Sequence, residues 1–142
     1  MNCAQALMKT LVDAGVEVFY SKSGTSEMHF LAALDSEPRM LLAVLCLFEG
    51  AATRAAEGFA RMADQPAATL LHLCCGLGNS LANLHNAKRA YSGVINIVGQ
   101  HALDHIHNNA PLNSDVEAVA RPMSNWVKTT MSATQAPLDT AE

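Results

Sequence analysis

Four short β-rich runs, residues 16–20, 40–46, 67–73 and 94–98, alternate with stretches of helical spacing. This alternation leaves few folds open. Each crossover between parallel strands is right-handed and lays its helix on one face of the sheet. The run at 40–46 is apolar throughout, as expected of a strand covered on both faces. Before the first run, Leu7, Leu11 and Val12 share a helical face, with Asn2 placed to cap the helix and Gly15 to stop it. Lys22, Ser23, Gly24 and Thr25 read as a turn. Ser26 is placed to cap a helix reaching about Asp35, with Phe30, Leu31 and Leu34 inward. Residues 50–64 form an alanine-rich helix, stopped by Pro66. Residues 74–79 read as a glycine-containing loop. Leu77, Leu81 and Leu84 then mark a helix to about Tyr91. The expected fold is α/β: a doubly wound parallel sheet with helices on both faces, in a single domain.

Beyond Gly99 the pattern weakens. Residues 101–113 are polar and read as a loop. Ser114 and Asp115 look like a cap for a short helix at 116–120, and residues 126–129 like an edge strand. Residues 132–142 show no apolar period and are expected to fray. The expected division is a domain over residues 1–130 and a tail over 131–142.

Half of the 142 residues are apolar and 15% are charged, so a core can form. The net charge is −4 with no basic patch, which argues against a nucleic-acid partner. The longest apolar runs are too short to cross a bilayer. The amphipathic N-terminus does not resemble a secretory leader, so a cytoplasmic location is expected. Cys3, Cys46, Cys74 and Cys75 fit that location as reduced thiols, the last two being adjacent and poorly placed for a bridge.

Open α/β sheets bind ligands at the carboxyl ends of their strands. Three segments converge there: residues 21–27, 47–50 and 72–79. Glu49 stands out. It ends the most apolar run, follows Leu47 and Phe48, and precedes Gly50 and Ala51. A carboxyl group in such a setting loses hydration, which disfavours its charged form. One reading is a half-exposed acid favoured by a helix N-terminus. The other is an acid kept in a pocket to share a proton.

Phe48, Glu49, Gly50, Ala51 and Ala52, followed by residues 55–61 (Ala-Ala-Glu-Gly-Phe-Ala-Arg), resemble the signature of the pyrimidine-binding domain of thiamine-diphosphate enzymes. Acetolactate synthase-like and benzoylformate decarboxylase-like members are the most similar. Gly24, Thr25, Ser26 and Glu27 are similar to the family's first cofactor-side loop. Gly76, Leu77, Gly78 and Asn79 resemble its third loop, and residues 96–100 the strand and turn that follow. The resemblance extends from about Gln5 to Thr129.

It implies that Glu49 hydrogen-bonds a ring nitrogen of the cofactor's aminopyrimidine. That bond favours an imino tautomer, which takes the thiazolium proton and readies the cofactor to attack a 2-keto acid. It further implies that His72 relays protons to the substrate, that Thr25 faces the substrate carboxylate, and that Gly24, Gly76 and Asn79 lie along the cofactor. His72 also reads as an ordinary strand-end histidine, and Thr25 as a turn residue bonding its own backbone. In the family, Mg²⁺ and the diphosphate are held by a Gly-Asp-Gly motif in a second domain, supplied by another subunit. No Gly-Asp-Gly occurs in this chain. The implied assembly is therefore a homo- or hetero-oligomer with a diphosphate-binding domain or subunit.

The chain departs from the family pattern at several places. Ser23 stands where proline is usual, and Cys74 and Cys75 where Gly-Pro is frequent. Arg54 stands where glycine is common, and would keep Glu49 ionised if it reached it. These leave a second reading open, a truncated and catalytically inactive homologue with a structural or regulatory role. An unrelated flavodoxin-like binding domain is a third. His101, Asp104, His105 and His107 have conceivable metal-ligand spacing but read better as a polar loop. The helix at 50–64, rich in small residues, is expected to mediate weak self-association.

Overall fold

The computed structural model describes residues 1–39 and 42–142. Helix α1 (Cys3–Asp13) leads into strand β1 (Val18–Lys22). A 3-10 turn, Thr25–Glu27, opens α2 (Met28–Leu34), and β2 (Leu42–Leu45) follows. Next come α3 (Glu49–Ala63), β3 (Ala67–Leu71), α4 (Leu73–Ala90) and β4 (Val94–Val98). The remainder carries two short helices, α5 (Val116–Ala120) and α6 (Ala136–Ala141), among irregular segments.

The strands lie in the order β2-β1-β3-β4, all parallel, with Phe19 beside Ala68 and Leu70 beside Ile97. From β1 the chain steps outward to β2, then returns past β1 to β3. Right-handed crossovers in opposite directions place their helices on opposite faces. On one face, Met8 and Leu11 of α1 and Phe30 of α2 pack with Phe19, Ala68 and Leu70. On the other, Leu77 and Leu84 of α4 pack with Leu71 and with Ala120 of α5. The doubly wound single-domain α/β fold is thus present.

Local signals act where the residues suggest. The Asn2 side chain accepts from the Gln5 amide while Gln5 returns a bond to the Asn2 amide, a reciprocal cap worth about 1 kcal/mol. Gly15 takes a φ of 91°, which reverses the chain after α1. Asp115 caps α5 by accepting from the Ala118 amide.

Several expectations are corrected. The apolar run at 40–46 is not covered on both faces. Its first two residues lie outside the described ones, and β2 is an edge strand with Leu42 and Leu45 exposed. The run buried on both faces is β3, whose five residues are all inside. Apolarity showed that the first run is strand-like, but strand order decided which run is central. Residues 74–79 are helix rather than loop, since α4 begins at Leu73 and the Gly76 amide donates to the His72 carbonyl at 2.8 Å. Ser26 does not cap α2 from a loop; it lies inside the 3-10 turn, its hydroxyl donating to Glu27. Residues 126–129 form no strand.

The segment expected to fray carries α6, which packs on α1 with Ala136 buried, while Lys128 pairs with Asp139 and Glu142. The small residues of α3 were expected to serve self-association. Instead Gly50, Ala52, Ala56 and Ala60 are buried within the chain, where α3 lies against α4, β1 and β3.

Candidate active site at the carboxyl ends of the strands

Glu49 is the first residue of α3, after the extended Phe48. Its carboxyl group is buried, with the residue only 6% exposed. The cover differs from the one expected, because Leu47 and Phe48 themselves face outward. What encloses Glu49 is the start of α4. The Asn79 side-chain amide donates to Glu49 Oε2 at 3.1 Å. A Cβ placed on Gly76 would lie 3.2 Å from both Cγ and Oε1 of Glu49. Glycine at 76 therefore lets a helix backbone and a carboxyl group meet with no side chain between them. The α3–α4 contact is locked further down by Asn83, which donates to the Gly50 carbonyl at 2.8 Å.

The strand-to-helix transition that brings α4 here is abrupt. Leu73 is the second residue after β3 and has a φ of 54°, a left-handed conformation that costs a non-glycine residue of order 1–3 kcal/mol. This bend starts α4 at the carboxyl end of the central strand β3, where the Gly76 amide bonds the His72 carbonyl.

His72 anchors a second cluster. Its Nδ1 lies 2.9 Å from Oε2 of Glu27 and 3.2 Å from Oγ of Ser26. Glu27 is 3% exposed. Its Oε2 also accepts from the Gly24 amide at 2.7 Å, and its Oε1 from Ser26 Oγ at 2.7 Å. A Cβ on Gly24 would run into the His72 ring, and one on Gly99 into the Glu27 carboxylate. The dyad is thus pinched between the turns that follow β1 and β4.

The structure therefore brings Glu49, Gly76 and Asn79 together, and joins Gly24 to His72. Thr25 is exposed at the start of its turn, and its hydroxyl has no protein partner among the described residues. Arg54 does not reach Glu49. It points to Glu57, with Nη1 to Oε2 at 2.9 Å, and Arg61 pairs with the same carboxylate. Five positions along a helix turn a side chain well away from the first, whereas three positions bring it back. The residue missed by sequence reasoning is Glu27. Its signal was present as an acid two residues after Thr25, but only the fold shows that the chain closes around it.

Among the described residues, no three metal-binding side chains gather into a site, and His101 and His105 sit 6.0 Å apart between ring centres in the polar loop. No helix of the described residues is long and apolar enough to cross a membrane.

The donor set suits an aminopyrimidine. Glu49 offers a buried acid with one oxygen fixed by Asn79, a group able to share a proton with a ring nitrogen.

Comparisons with known proteins agree in family. The sequence profile of the family "Thiamine pyrophosphate enzyme, N-terminal TPP binding domain" matches residues 1–123. A Mycobacterium tuberculosis protein provisionally named acetolactate synthase large subunit IlvX is 57% identical over 98% of this chain. A benzoylformate decarboxylase of Pseudomonas aeruginosa is 30% identical over 84% of it. The chain spans about a quarter of the length of these curated relatives, 27% and 24%. In fold it is similar to the thiamine diphosphate-dependent 4-hydroxybenzoylformate decarboxylase of Rhodococcus jostii RHA1, with a TM-score of 0.90 over 99% of this chain and 26% of that one, at 23% identity. On the match across residues 1–123, this chain belongs to the thiamine pyrophosphate enzyme family, as its N-terminal cofactor-binding domain.

Proposed function

We propose that this chain binds and activates the aminopyrimidine half of thiamine diphosphate for a 2-keto acid decarboxylase or an acetolactate synthase-like carboligase. The observation that carries the reading is the Glu49 carboxyl group, buried at the first turn of α3 and fixed by Asn79 against Gly76. Thiamine diphosphate supplies the carbanion-stabilising chemistry when bound. The protein's part is orientation and one proton. Glu49 shares that proton with a ring nitrogen, a role that suits an acid shielded from bulk water. Asn79 keeps the carboxyl group from rotating away. Gly76 lets the α4 backbone close on that carboxyl group, and His72, whose ring packs on Gly24 next to Thr25, serves the substrate side.

The diphosphate and Mg²⁺ are assigned to a second domain or subunit, since this chain holds no Gly-Asp-Gly. Activity then requires an assembly that contains such a Gly-Asp-Gly domain as well as this one. The inactive-homologue reading drew on Arg54 as a cation able to pin Glu49. Its pairing with Glu57 instead weighs against that reading.

Calorimetry with thiamine diphosphate and Mg²⁺, with and without a chain carrying Gly-Asp-Gly, tests the proposal. Tight binding only in the mixture, lost in Glu49→Gln, is the expected result. Equal binding by Glu49→Gln overturns the role given to Glu49.

A further inference from the structure

Glu27 is the most enclosed carboxylate at the strand ends, and the proposed function makes no use of it. We propose that it is a positioning residue: it holds His72 in the Nδ1–H tautomer and leaves Nε2 as the ring nitrogen open to a substrate. The inference rests on the reading of His72 as a group that exchanges protons with the substrate.

The argument is one of donors and acceptors. The Gly24 amide can only donate, and it donates to Oε2 of Glu27 at 2.7 Å. Ser26 Oγ donates to Oε1 at 2.7 Å. Both oxygens accept in this arrangement, and the proposal takes the carboxyl group as ionised, with no proton of its own to give. His72 Nδ1 stands 2.9 Å from Oε2. An unprotonated Nδ1 would set a lone pair against that oxygen, so Nδ1 must carry the proton. Ser26 Oγ, 3.2 Å from Nδ1, has spent its only hydrogen on Glu27 and can share the Nδ1 proton only as an acceptor. With Nδ1 occupied, Nε2 holds the free lone pair. Nε2 has no protein partner among the described residues, and 21% of the side-chain surface remains open. The geometry is built rather than incidental, because the glycines at 24 and 99 leave no room for a Cβ beside the ring or the carboxylate. This is the carboxylate–imidazole logic by which a buried acid sets the tautomer and orientation of a working histidine.

Nitrogen-15 NMR of the histidine-labelled chain tests it, with His72→Gln identifying the signal. At mildly alkaline pH, where imidazoles are neutral, the His72 pattern is expected to show a protonated Nδ1 and an unprotonated Nε2. In Glu27→Ala that pattern is expected to give way to Nε2–H. An Nε2–H tautomer in the unmodified chain overturns the proposal, whether or not the variant folds. An unchanged pattern in a folded Glu27→Ala chain does so too. The spectrum needs no cofactor, so its outcome is separate from that of the calorimetry, which bears on Glu49 and the proposed function alone.

Discussion

The side-chain amide of Asn79, on the second turn of α4, reaches across to α3 and holds Oε2 of Glu49 at 3.1 Å. The two residues are far apart in sequence. They meet because α3 and α4 pack on the same face of the sheet, with Gly50 and Gly76 at their point of approach. In a complemented enzyme, Glu49→Gln should slow exchange of the cofactor's thiazolium proton by roughly 10²–10⁴-fold, the usual contribution of one positioned acid or base. Its folding should be intact, since glutamine keeps the shape and still accepts from Asn79. Exchange rates followed by proton NMR, with circular dichroism as the control, measure both.

Gly76→Ala should be more damaging than its size suggests. The added methyl would meet Glu49 at 3.2 Å and the backbone carbon of Leu71 at 3.3 Å, and the latter cannot swing aside. A cost of about 1–3 kcal/mol is expected from such overpacking. Urea denaturation reads it as a lower midpoint at unchanged slope. Gly78→Ala is the control, because nothing lies near its Cβ position, and it should leave stability unchanged or raise it.

Acid should weaken the end of the molecule where α1 meets the segment after α2. Lys9 and then Arg39 hold the Asp13 carboxyl below its usual range, and Arg39 does the same for Glu37. Both groups bind protons more readily when the chain is unfolded. Their contribution is therefore complete above the ordinary carboxylate range, near pH ~4, and is lost as the pH falls through the depressed folded values. Asp13 and the two cations are exposed and only Glu37 is partly covered, so the effect should be small and should shrink in salt. Arg39→Ala should flatten the acid limb of a stability–pH curve measured by urea midpoints.

The thiols should differ in reactivity. Burial at the end of β2 pushes the Cys46 thiol up, which lowers its thiolate fraction at neutral pH. Cys75 is exposed on α4. Iodoacetamide labelling followed by mass spectrometry should modify Cys75 well before Cys46. Equal rates would contradict the enclosure of Cys46.

Much of the fold is legible from the residues alone, for identifiable reasons. Asn2 and Gln5 cap α1, Gly15 reverses the chain after it, and Asp115 caps α5, because these are interactions within a few residues. Alternating strands and helices fix the parallel, doubly wound arrangement, because crossover handedness follows from chain chirality. The family motifs likewise singled out Glu49, and the structure then placed that residue beside Gly76 and Asn79.

Tertiary structure decided what depends on neighbours distant in sequence. Hydrophobicity alone cannot rank two apolar strands, so only the sheet order made β3 central and left Leu42 and Leu45 on an exposed edge. Glycine's low helix propensity, about 1 kcal/mol below alanine, makes residues 74–79 look like a loop. The packing of α4 against α3 overrides that preference, since only glycine at 76 lets the two helices enclose Glu49. The sequence places Glu27 in a cofactor-side loop but does not show its contacts. A carboxylate acquires a role like this from the donors around it, and here they arrive from the turns after β1 and β3, with the turn after β4 closing over them.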